Sequence, residues 1–187
     1  MAKLFFYYGT MNSGKSFEAL KVAYNYEEQG KKVVVLSPTT DVRSGVGQIK
    51  SRVKDMSREV TPIDYNDNIY TMMFDHQDVS CVIIDEAQFL TRIQVLQLTY
   101  IVDSMEIPVM AFGLKNDYNN RLFEGSETLL LHADKLYEVK TICWYCGKKA
   151  TMNLRTNSDL KGQIAVGGNK DYKAVCRRHY KKYVEIY

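Results

Sequence analysis

Four short apolar runs in the first part of the chain are separated by segments long enough to form helices. Runs rich in β-branched and aromatic residues, without polar alternation, are typical of strands buried in a parallel sheet. A strand, a helix and a second strand in this succession favour a right-handed parallel crossover, so the pattern predicts an α/β fold. The predicted strands are Lys3–Tyr8, Val33–Leu36, Val79–Asp85 and Val109–Leu114.

Two of the intervening segments have helical periodicity. Residues Ser16–Gln29 place Phe17, Leu20 and Tyr24 on one face, which predicts an amphipathic helix. Residues Thr91–Met105 form a second predicted helix, because an apolar period follows the N-capping residue type at its start.

Two other features of the pattern concern organisation. Residues 39–67 are polar and aperiodic, with glycines, serines and alternating charges, which predicts a mobile loop. Near Thr141 the composition shifts because cysteines and basic residues begin. We therefore predict one unit over residues 1–140 and a second, smaller unit over residues 141–187.

Composition limits the class of protein further. The sequence has 187 residues, of which 45% are hydrophobic and 25% charged, as in ordinary globular proteins. No apolar run approaches the roughly 20 residues that span a bilayer. The first predicted strand begins too early for a cleavable signal segment, so we expect a cytoplasmic protein without membrane contact. A formal net charge of +3 does not by itself indicate nucleic-acid binding, and no nucleic-acid partner is expected.

The segment after the first predicted strand matches G-x-x-x-x-G-K-[ST], the pattern of a nucleoside triphosphate site. Its glycines let backbone N–H groups point toward phosphate oxygens, and the N-terminus of the following helix attracts the same negative charge. Lys15 can reach the β- and γ-phosphates, and the Ser16 hydroxyl can bind Mg²⁺. The alternative is a glycine-rich turn that binds no ligand. The residues predicted to bind the phosphates are Gly9, Thr10, Met11, Asn12, Ser13, Gly14, Lys15 and Ser16.

Asp85 and Glu86 end a predicted strand, one parallel strand away from the phosphate loop. Because successive strand residues point to opposite faces, the two carboxylates need not share a role. One can hold Mg²⁺ while the other faces an acceptor hydroxyl or a water molecule. If the second carboxylate faces a substrate hydroxyl, the protein is a small-molecule kinase. If it faces water, the protein is an NTPase, as in helicase-type sequences with DEAQ. We favour the kinase because the chain contains no second nucleotide motif; a solvated strand end without function is the remaining alternative.

Two Cys/His pairs in the C-terminal part have the spacing of a zinc ribbon. Two residues separate the members of each pair, and 29 residues lie between the pairs. Three cysteines and one histidine complete a tetrahedral structural Zn²⁺ site, whose binding energy can support the folding of a small unit. Redox chemistry and a nucleic-acid-binding ribbon are the alternatives. The predicted ligands are Cys143, Cys146, Cys176 and His179, whereas Cys81 is predicted to be a buried strand residue.

Five motifs together resemble those of the cytosolic-type thymidine kinases, over essentially the whole chain. They are GTMNSGKS at 9–16, D-x-R at 41–43, DEAQF at 85–89, GLKNDYNNRLFEG at 113–125 and Val-Gly-Gly…Tyr at 166–172. The resemblance implies a P-loop NTPase-like parallel sheet flanked by helices, with a small C-terminal zinc-ribbon or lasso domain. It also implies Mg²⁺-dependent transfer of the γ-phosphoryl group from ATP to thymidine or deoxyuridine, a homotetramer, and inhibition by dTTP.

The resemblance also implies roles for individual residues. Glu86 is the implied base for the 5′-hydroxyl, and Lys15 and Arg43 are the other implied catalytic residues. Beyond the phosphate loop, the residues implied around the phosphates are Asp41, Asp85 and Gln88, with Ser16 and Asp85 as Mg²⁺ ligands. The implied nucleoside-binding residues are Met11, Phe89, Leu114, Tyr118, Phe123, Ala165, Val166, Gly167 and Tyr172. Without the resemblance, the aromatic members of this set are equally well interpreted as core residues.

Three positions depart from the family pattern. Lys115 stands where members commonly carry Asp, and Asn153 stands where some have a Thr that lines the base pocket. His179 replaces the fourth cysteine of some relatives. A neutral imidazole binds zinc about as well as a thiolate, so we expect the metal site to remain.

Overall fold

The computed structural model describes residues 1–40, 48–50, 57–76, 78–156 and 171–184. The strands are β1 (Leu4–Gly9), β2 (Lys32–Pro38), β3 (Gln48–Lys50), β4 (Ser57–Glu59), β5 (Thr61–Ile63), β6 (Val79–Ile84), β7 (Val109–Leu114), β8 (Lys135–Glu138), β9 (Met152–Arg155) and β10 (Tyr172–Val175). The α-helices are α1 (Lys15–Glu27), α2 (Ile69–Met72), α3 (Arg92–Met105), α4 (Glu124–His132) and α5 (Arg177–Tyr183). Two 3₁₀ turns cover Met73–Asp75 and Ala87–Phe89.

Six strands form a central sheet in the order β5-β2-β6-β7-β1-β8, and every neighbouring pair in it is parallel. This arrangement confirms the predicted α/β fold with a parallel sheet. Strand β7 lies between β1, which leads into the phosphate loop, and β6, which leads into Asp85. Because the strands are parallel, their carboxyl ends meet at one edge of the sheet, where α/β proteins bind ligands.

The six elements predicted from periodicity are present. Strand β7 has the predicted bounds, and the ends of the others differ by no more than two residues. Helix α3 begins as expected, since the Thr91 hydroxyl accepts from the Gln94 backbone N–H and the Gln94 side chain accepts from the Thr91 backbone N–H. This reciprocal capping satisfies two N–H groups that the helix itself leaves unpaired.

One residue of the apolar face predicted for α1 lies outside the buried part of the helix. Tyr24 is 55% exposed, whereas Ala19, Leu20 and Ala23 are buried against the sheet. Alanine side chains allow a helix backbone to lie close to a sheet, so the small residues determine which face is buried.

The prediction of a loop over residues 39–67 is also wrong in part. Strands β3 and β4 pair as an antiparallel hairpin, and β5 adds to the sheet beside β2. Ile49 of β3 and Ile63 of β5 are buried. Strands of three residues are too short to show periodicity, which is why the pattern did not reveal them. Residues 41–47 and 51–56 of the predicted loop lie outside the described residues.

Each face of the sheet carries an apolar cluster. One is packed between the sheet and α3, and it includes Leu4, Phe6 and Ile84. The other lies beneath α1 and includes Cys81, whose thiol has its pKa raised to about 12 by burial. Complete burial of each large apolar side chain contributes about 1.5–3 kcal/mol to folding. Among the described helices, none combines the length and the apolarity that crossing a membrane requires.

A smaller substructure follows β8. Strands β9 and β10 form an antiparallel hairpin, and α5 packs on β9. Its own apolar cluster contains Cys143, Leu154, Val175 and Tyr180. The division of the chain at residues 140 and 141 stays a prediction.

Candidate active site and metal centre

The phosphate loop connects β1 to α1 and has the backbone that an anion site needs. Gly14, at the start of α1, has a φ of +89°, which residues with a side chain rarely adopt. In the described structure no side chain caps this helix, which begins directly at the loop. Lys15 is 8% exposed, and its ammonium donates to the Thr10 carbonyl across 2.8 Å. The loop therefore combines a buried cation with an uncapped helix N-terminus, which attracts anions.

Other polar atoms of the loop fit a bound phosphate chain. The hydroxyls of Thr10 and Ser13 are buried and have no hydrogen-bond partner among the described residues. A buried hydroxyl without a partner is costly, and a ligand oxygen would satisfy it. Gly9 is also required, because a Cβ atom there would lie 2.5 Å from Ser13 Oγ and 2.6 Å from the Val139 carbonyl.

Asp85 lies at the end of β6 and faces the phosphate loop. The Ser16 hydroxyl donates to Asp85 Oδ2 across 2.9 Å, so the two residues predicted to hold Mg²⁺ are in contact. Burial and the nearby Glu86 carboxylate raise the pKa of Asp85 to about 7, against the lowering effects of Ser16 and Lys15. Two oxygen ligands beside a phosphate site suit Mg²⁺, which is usually held by one or two carboxylates and the substrate phosphates.

Glu86 points into different surroundings from Asp85. Its backbone is left-handed, with φ 51° and ψ 37°, a conformation that costs a non-glycine residue roughly 1–2 kcal/mol. Strain of this kind persists where the surrounding structure imposes it, often at functional sites. Asp85 bonds to the Ser16 hydroxyl and Glu86 to the Gln88 amide, so the two carboxylates have different partners. Both lie beyond the end of β6 at Ile84, so the left-handed backbone of Glu86, rather than alternation along the strand, separates them.

Gln88 holds the Glu86 carboxylate in place. Its Nε2 donates to Glu86 Oε2 across 2.5 Å, and its Oε1 accepts from the Leu114 backbone N–H across 2.9 Å. We predicted Gln88 among the phosphate-binding residues, but the described contacts of its amide are with Glu86 and Leu114. The turn containing it is tightly packed, since a Cβ at Gly113 would lie 2.9 Å from Gln88 Oε1 and one at Gly125 would lie 2.6 Å from the Ala87 carbonyl.

A separate apolar cluster lies at the same edge of the sheet. Its aromatic rings meet at defined angles: Phe89 contacts Phe123 edge to face at 5.8 Å, and Tyr118 lies 6.4 Å from Tyr172. The guanidinium of Arg155 lies 3.9 Å above the Tyr118 ring. The cluster consists of Met11, Leu114, Phe123 and Tyr172, with Phe89 and Tyr118 packed against it. These are the six predicted nucleoside-binding residues that the structure describes.

Two residues that we did not place in the site join the smaller substructure to it. Asn153 in β9 accepts from the Met11 backbone N–H and donates to the Asn116 carbonyl. The Tyr180 hydroxyl in α5 donates to the Tyr118 carbonyl across 2.5 Å. Neither contact has a local sequence signal, because the partners are far apart along the chain.

The four predicted zinc ligands converge. Their ligand atoms all lie within 4.8 Å of one another. The Nδ1 atom of His179 is 3.4 Å from both Cys143 Sγ and Cys176 Sγ, and Cys146 Sγ is 3.8 Å from Cys176 Sγ. In a tetrahedral zinc site two sulfurs lie about 3.8 Å apart, and a sulfur and a nitrogen about 3.5 Å apart. The cluster therefore has the size and the donor set of a zinc site.

The electrostatics of the cluster also suit a metal. Burial opposes ionisation of Cys143, but hydrogen bonds from the backbone of Cys176 and Tyr145 and from His179 outweigh it and lower the pKa of this thiol to about 6. A thiolate at neutral pH is the form that binds zinc. All four cysteines are free, and Cys81 is buried in β6 away from this cluster.

Five predicted site residues lie outside the described residues. They are Asp41 and Arg43 for the phosphates, and Ala165, Val166 and Gly167 for the base.

Comparisons with known proteins agree with this geometry. The family model for thymidine kinase matches residues 2–180. A thymidine kinase of Lactiplantibacillus plantarum is 55% identical over 185 residues, which cover 96% of both chains. Thymidine kinases of Enterococcus faecalis and Streptococcus pyogenes are each 53% identical over 96% of this chain and over 95% and 97% of their own. A solved structure of Bacteroides Pif1 bound to single-stranded DNA matches 73% of this chain and 38% of its own at 16% identity, with a TM-score of 0.40.

The phosphate loop, the carboxylate pair and the Cys/His cluster thus occur in a chain that one family model matches almost throughout. The relatives cover the same length at more than half identity. The chain belongs to the thymidine kinase family.

Proposed function

We propose that this enzyme transfers the γ-phosphoryl group of ATP to the 5′-hydroxyl of thymidine or deoxyuridine, as a step of pyrimidine deoxynucleotide salvage. The observation that carries the proposal is the position of the apolar cluster next to the phosphate loop. Met11 belongs to both, since it follows Thr10 in the loop and packs with Leu114, Phe123 and Tyr172. A flat pyrimidine needs apolar walls of this kind, and the acceptor must lie beside the phosphates.

The chain's own residues support an in-line transfer. The N-terminal N–H groups of α1 and the Lys15 ammonium would bind the β- and γ-phosphates and neutralise their charge. Ser16 and Asp85 would hold Mg²⁺, which would offset the negative charge of the phosphates. Asp41 and Arg43 are proposed for the same phosphates from the family resemblance.

Glu86 is the proposed base. The 5′-oxygen forms a bond to the γ-phosphorus, the bond from that phosphorus to the bridging oxygen breaks, ADP leaves, and the hydroxyl proton passes to the Glu86 carboxylate. The bond from Gln88 would keep this carboxylate aimed at the acceptor. Asp85 accepts a hydrogen bond from Ser16, the other residue proposed to hold Mg²⁺, so we propose Asp85 as a metal ligand and not as the base.

The remaining parts of the proposal rest on the family resemblance. Residues 165–167 are proposed to bind the edge of the base, and Tyr172 to lie against the nucleoside. A homotetramer, inhibition by dTTP and a cytoplasmic location belong to the same proposal. Zinc is proposed as a structural ion, since four protein ligands complete its tetrahedron and leave no position for a substrate.

An assay with labelled ATP and a panel of nucleosides tests the proposal. We expect labelled monophosphate with thymidine and deoxyuridine, and little label in ribonucleosides or purine deoxynucleosides. The motor or ATPase alternative makes the opposite prediction, namely fast ATP hydrolysis without a nucleoside and stimulation by DNA or RNA. That result would exclude the kinase assignment.

A further inference from the structure

We propose that Asn153 is a positioning residue through which the zinc-bearing substructure holds the phosphate loop in place. Asn153 is 2% exposed and lies in the middle of β9. Its Oδ1 accepts from the Met11 backbone N–H across 2.8 Å, and its Nδ2 donates to the Asn116 carbonyl across 2.9 Å. One side chain therefore joins β9 to two backbone segments that follow different strands of the central sheet.

The chemistry of the two partners requires an amide at this position. The Met11 N–H can only donate and the Asn116 carbonyl can only accept, so the side chain must offer one acceptor and one donor about as far apart as the two ends of an amide. An aspartate would place a second oxygen against the Asn116 carbonyl. An alanine would leave a buried N–H and a buried carbonyl without these partners.

The position of Asn153 depends on the metal cluster through the hairpin. Asn153 pairs with Ala174 of β10, and Cys176 follows β10 directly after Val175. The neighbouring Leu154 packs with Cys143 and Val175. A metal ion that closes the cluster therefore fixes both strands of the hairpin, and with them the Asn153 amide.

The other end of the contact affects both proposed substrates. Thr10, directly before Met11, presents the carbonyl that binds the Lys15 ammonium, and Met11 itself forms part of the nucleoside wall. A displacement of the Met11 backbone would move the phosphate side and the nucleoside side of the site together. Asn153 therefore affects the binding of both substrates through the loop backbone, whereas a residue that only lines the base pocket would affect the binding of the nucleoside alone.

The nucleoside part of this inference rests on the proposed function, but the nucleotide and metal parts do not. The test compares Asn153→Ala with Asn25→Ala, which makes the same chemical change at an exposed position of α1. Three quantities are measured on zinc-loaded protein: zinc content, affinity for an ATP analogue, and amide hydrogen exchange in the peptide that contains Met11. Steady-state kinetics with ATP and thymidine are added where turnover is detected.

We expect Asn153→Ala to retain one equivalent of zinc, to exchange faster than the control at Met11, and to bind the ATP analogue about tenfold more weakly. In kinetics, KM for both substrates should rise more than kcat falls. Unchanged exchange and unchanged nucleotide affinity, equal to those of Asn25→Ala, would overturn the proposal.

A second measurement covers the case in which Asn153→Ala does not fold. Zinc is removed from the unmodified protein with a chelator, and the same exchange and ATP-analogue affinity are recorded before removal and after zinc is restored. We expect reversible loss of protection at Met11 and reversible weakening of nucleotide binding. If Met11 stays equally protected without zinc, the metal cluster does not hold the loop and the proposal is wrong. If thymidine is not phosphorylated yet both responses occur, only the proposed function fails.

Discussion

The hydroxyl of Ser16 and the carboxylate of Asp85 form a hydrogen bond of 2.9 Å between the first turn of α1 and the end of β6. The two residues are 69 positions apart in the chain. Their contact fixes the distance between the phosphate loop and the carboxylate pair. Both oxygens are hard ligands, so the contact defines the position proposed for Mg²⁺.

Ser16→Ala removes one of these oxygens and should lower kcat/KM for MgATP by at least about tenfold, because it loses both a metal ligand and the bond to Asp85. Ser16→Thr keeps the hydroxyl and is the matched control. The measurement is the initial rate as a function of MgATP concentration. Equal values for the two variants would show that the hydroxyl has no part in the reaction.

The pKa of Asp85 predicts a pH dependence of stability. It is raised to about 7 in the folded protein from its ordinary value of 3.8. Between pH 4 and pH 7 the folded protein therefore binds more protons at this site than the unfolded chain does. The free energy of unfolding should fall as pH rises through this window, by up to about 1.4 kcal/mol per pH unit, and level off above it.

Asp85→Asn isolates this effect, because the variant cannot ionise at this position. We expect the stability of the unmodified protein, measured by denaturant unfolding without Mg²⁺, to fall relative to that of the variant from pH 5 to pH 7. A difference between the two proteins that stays constant with pH would contradict the raised pKa.

Glu86→Gln preserves the shape of the side chain but removes the proton acceptor. We expect turnover to fall at least about 100-fold while ATP affinity stays near that of the unmodified protein. Turnover with thymidine and binding of an ATP analogue are measured on the same preparation. A near-normal rate would exclude Glu86 as the base.

The metal cluster should hold one tightly bound Zn²⁺ per chain. Cys176→Ala removes one of the four ligands and should reduce the zinc content to well under one equivalent and lower the thermal stability, because metal binding and folding of this small substructure are coupled. Cys81→Ala is the control, since this cysteine is buried in β6 and should leave the zinc content unchanged. Metal analysis of the purified proteins decides the matter, and full occupancy in Cys176→Ala would contradict the assignment.

The parts of this protein that the sequence predicted well are those with local signals. The phosphate loop is a contiguous segment whose spacing alone identifies it, and the Cys/His pairs are short local patterns whose four ligand atoms lie close together in the structure. Strand β7 and helix α3 are long enough for periodicity and capping to show. In each case a few neighbouring residues carry the whole signal.

The elements that the sequence did not reveal have only weak local signals. Strands β3, β4 and β5 have three residues each, so no period can be recognised in them. Strand β8 is mostly exposed at the sheet edge, and its short run resembles a polar connection. Strands β5 and β8 form because β2 and β1, which are distant in the chain, supply their backbone partners, whereas β3 and β4 supply each other's.

The sequence by itself determined the fold class, the phosphate-loop pattern and the two Cys/His pairs, because those depend on residue type and short spacing. Only the tertiary structure decided how these parts act on one another. It placed Gln88 against Glu86, and Asn153 against the backbone of Met11, 142 positions away. The physical reason is that a hydrogen bond depends on a distance of about 3 Å in space, and chain separation says nothing about that distance until the sheet and the hairpin have packed.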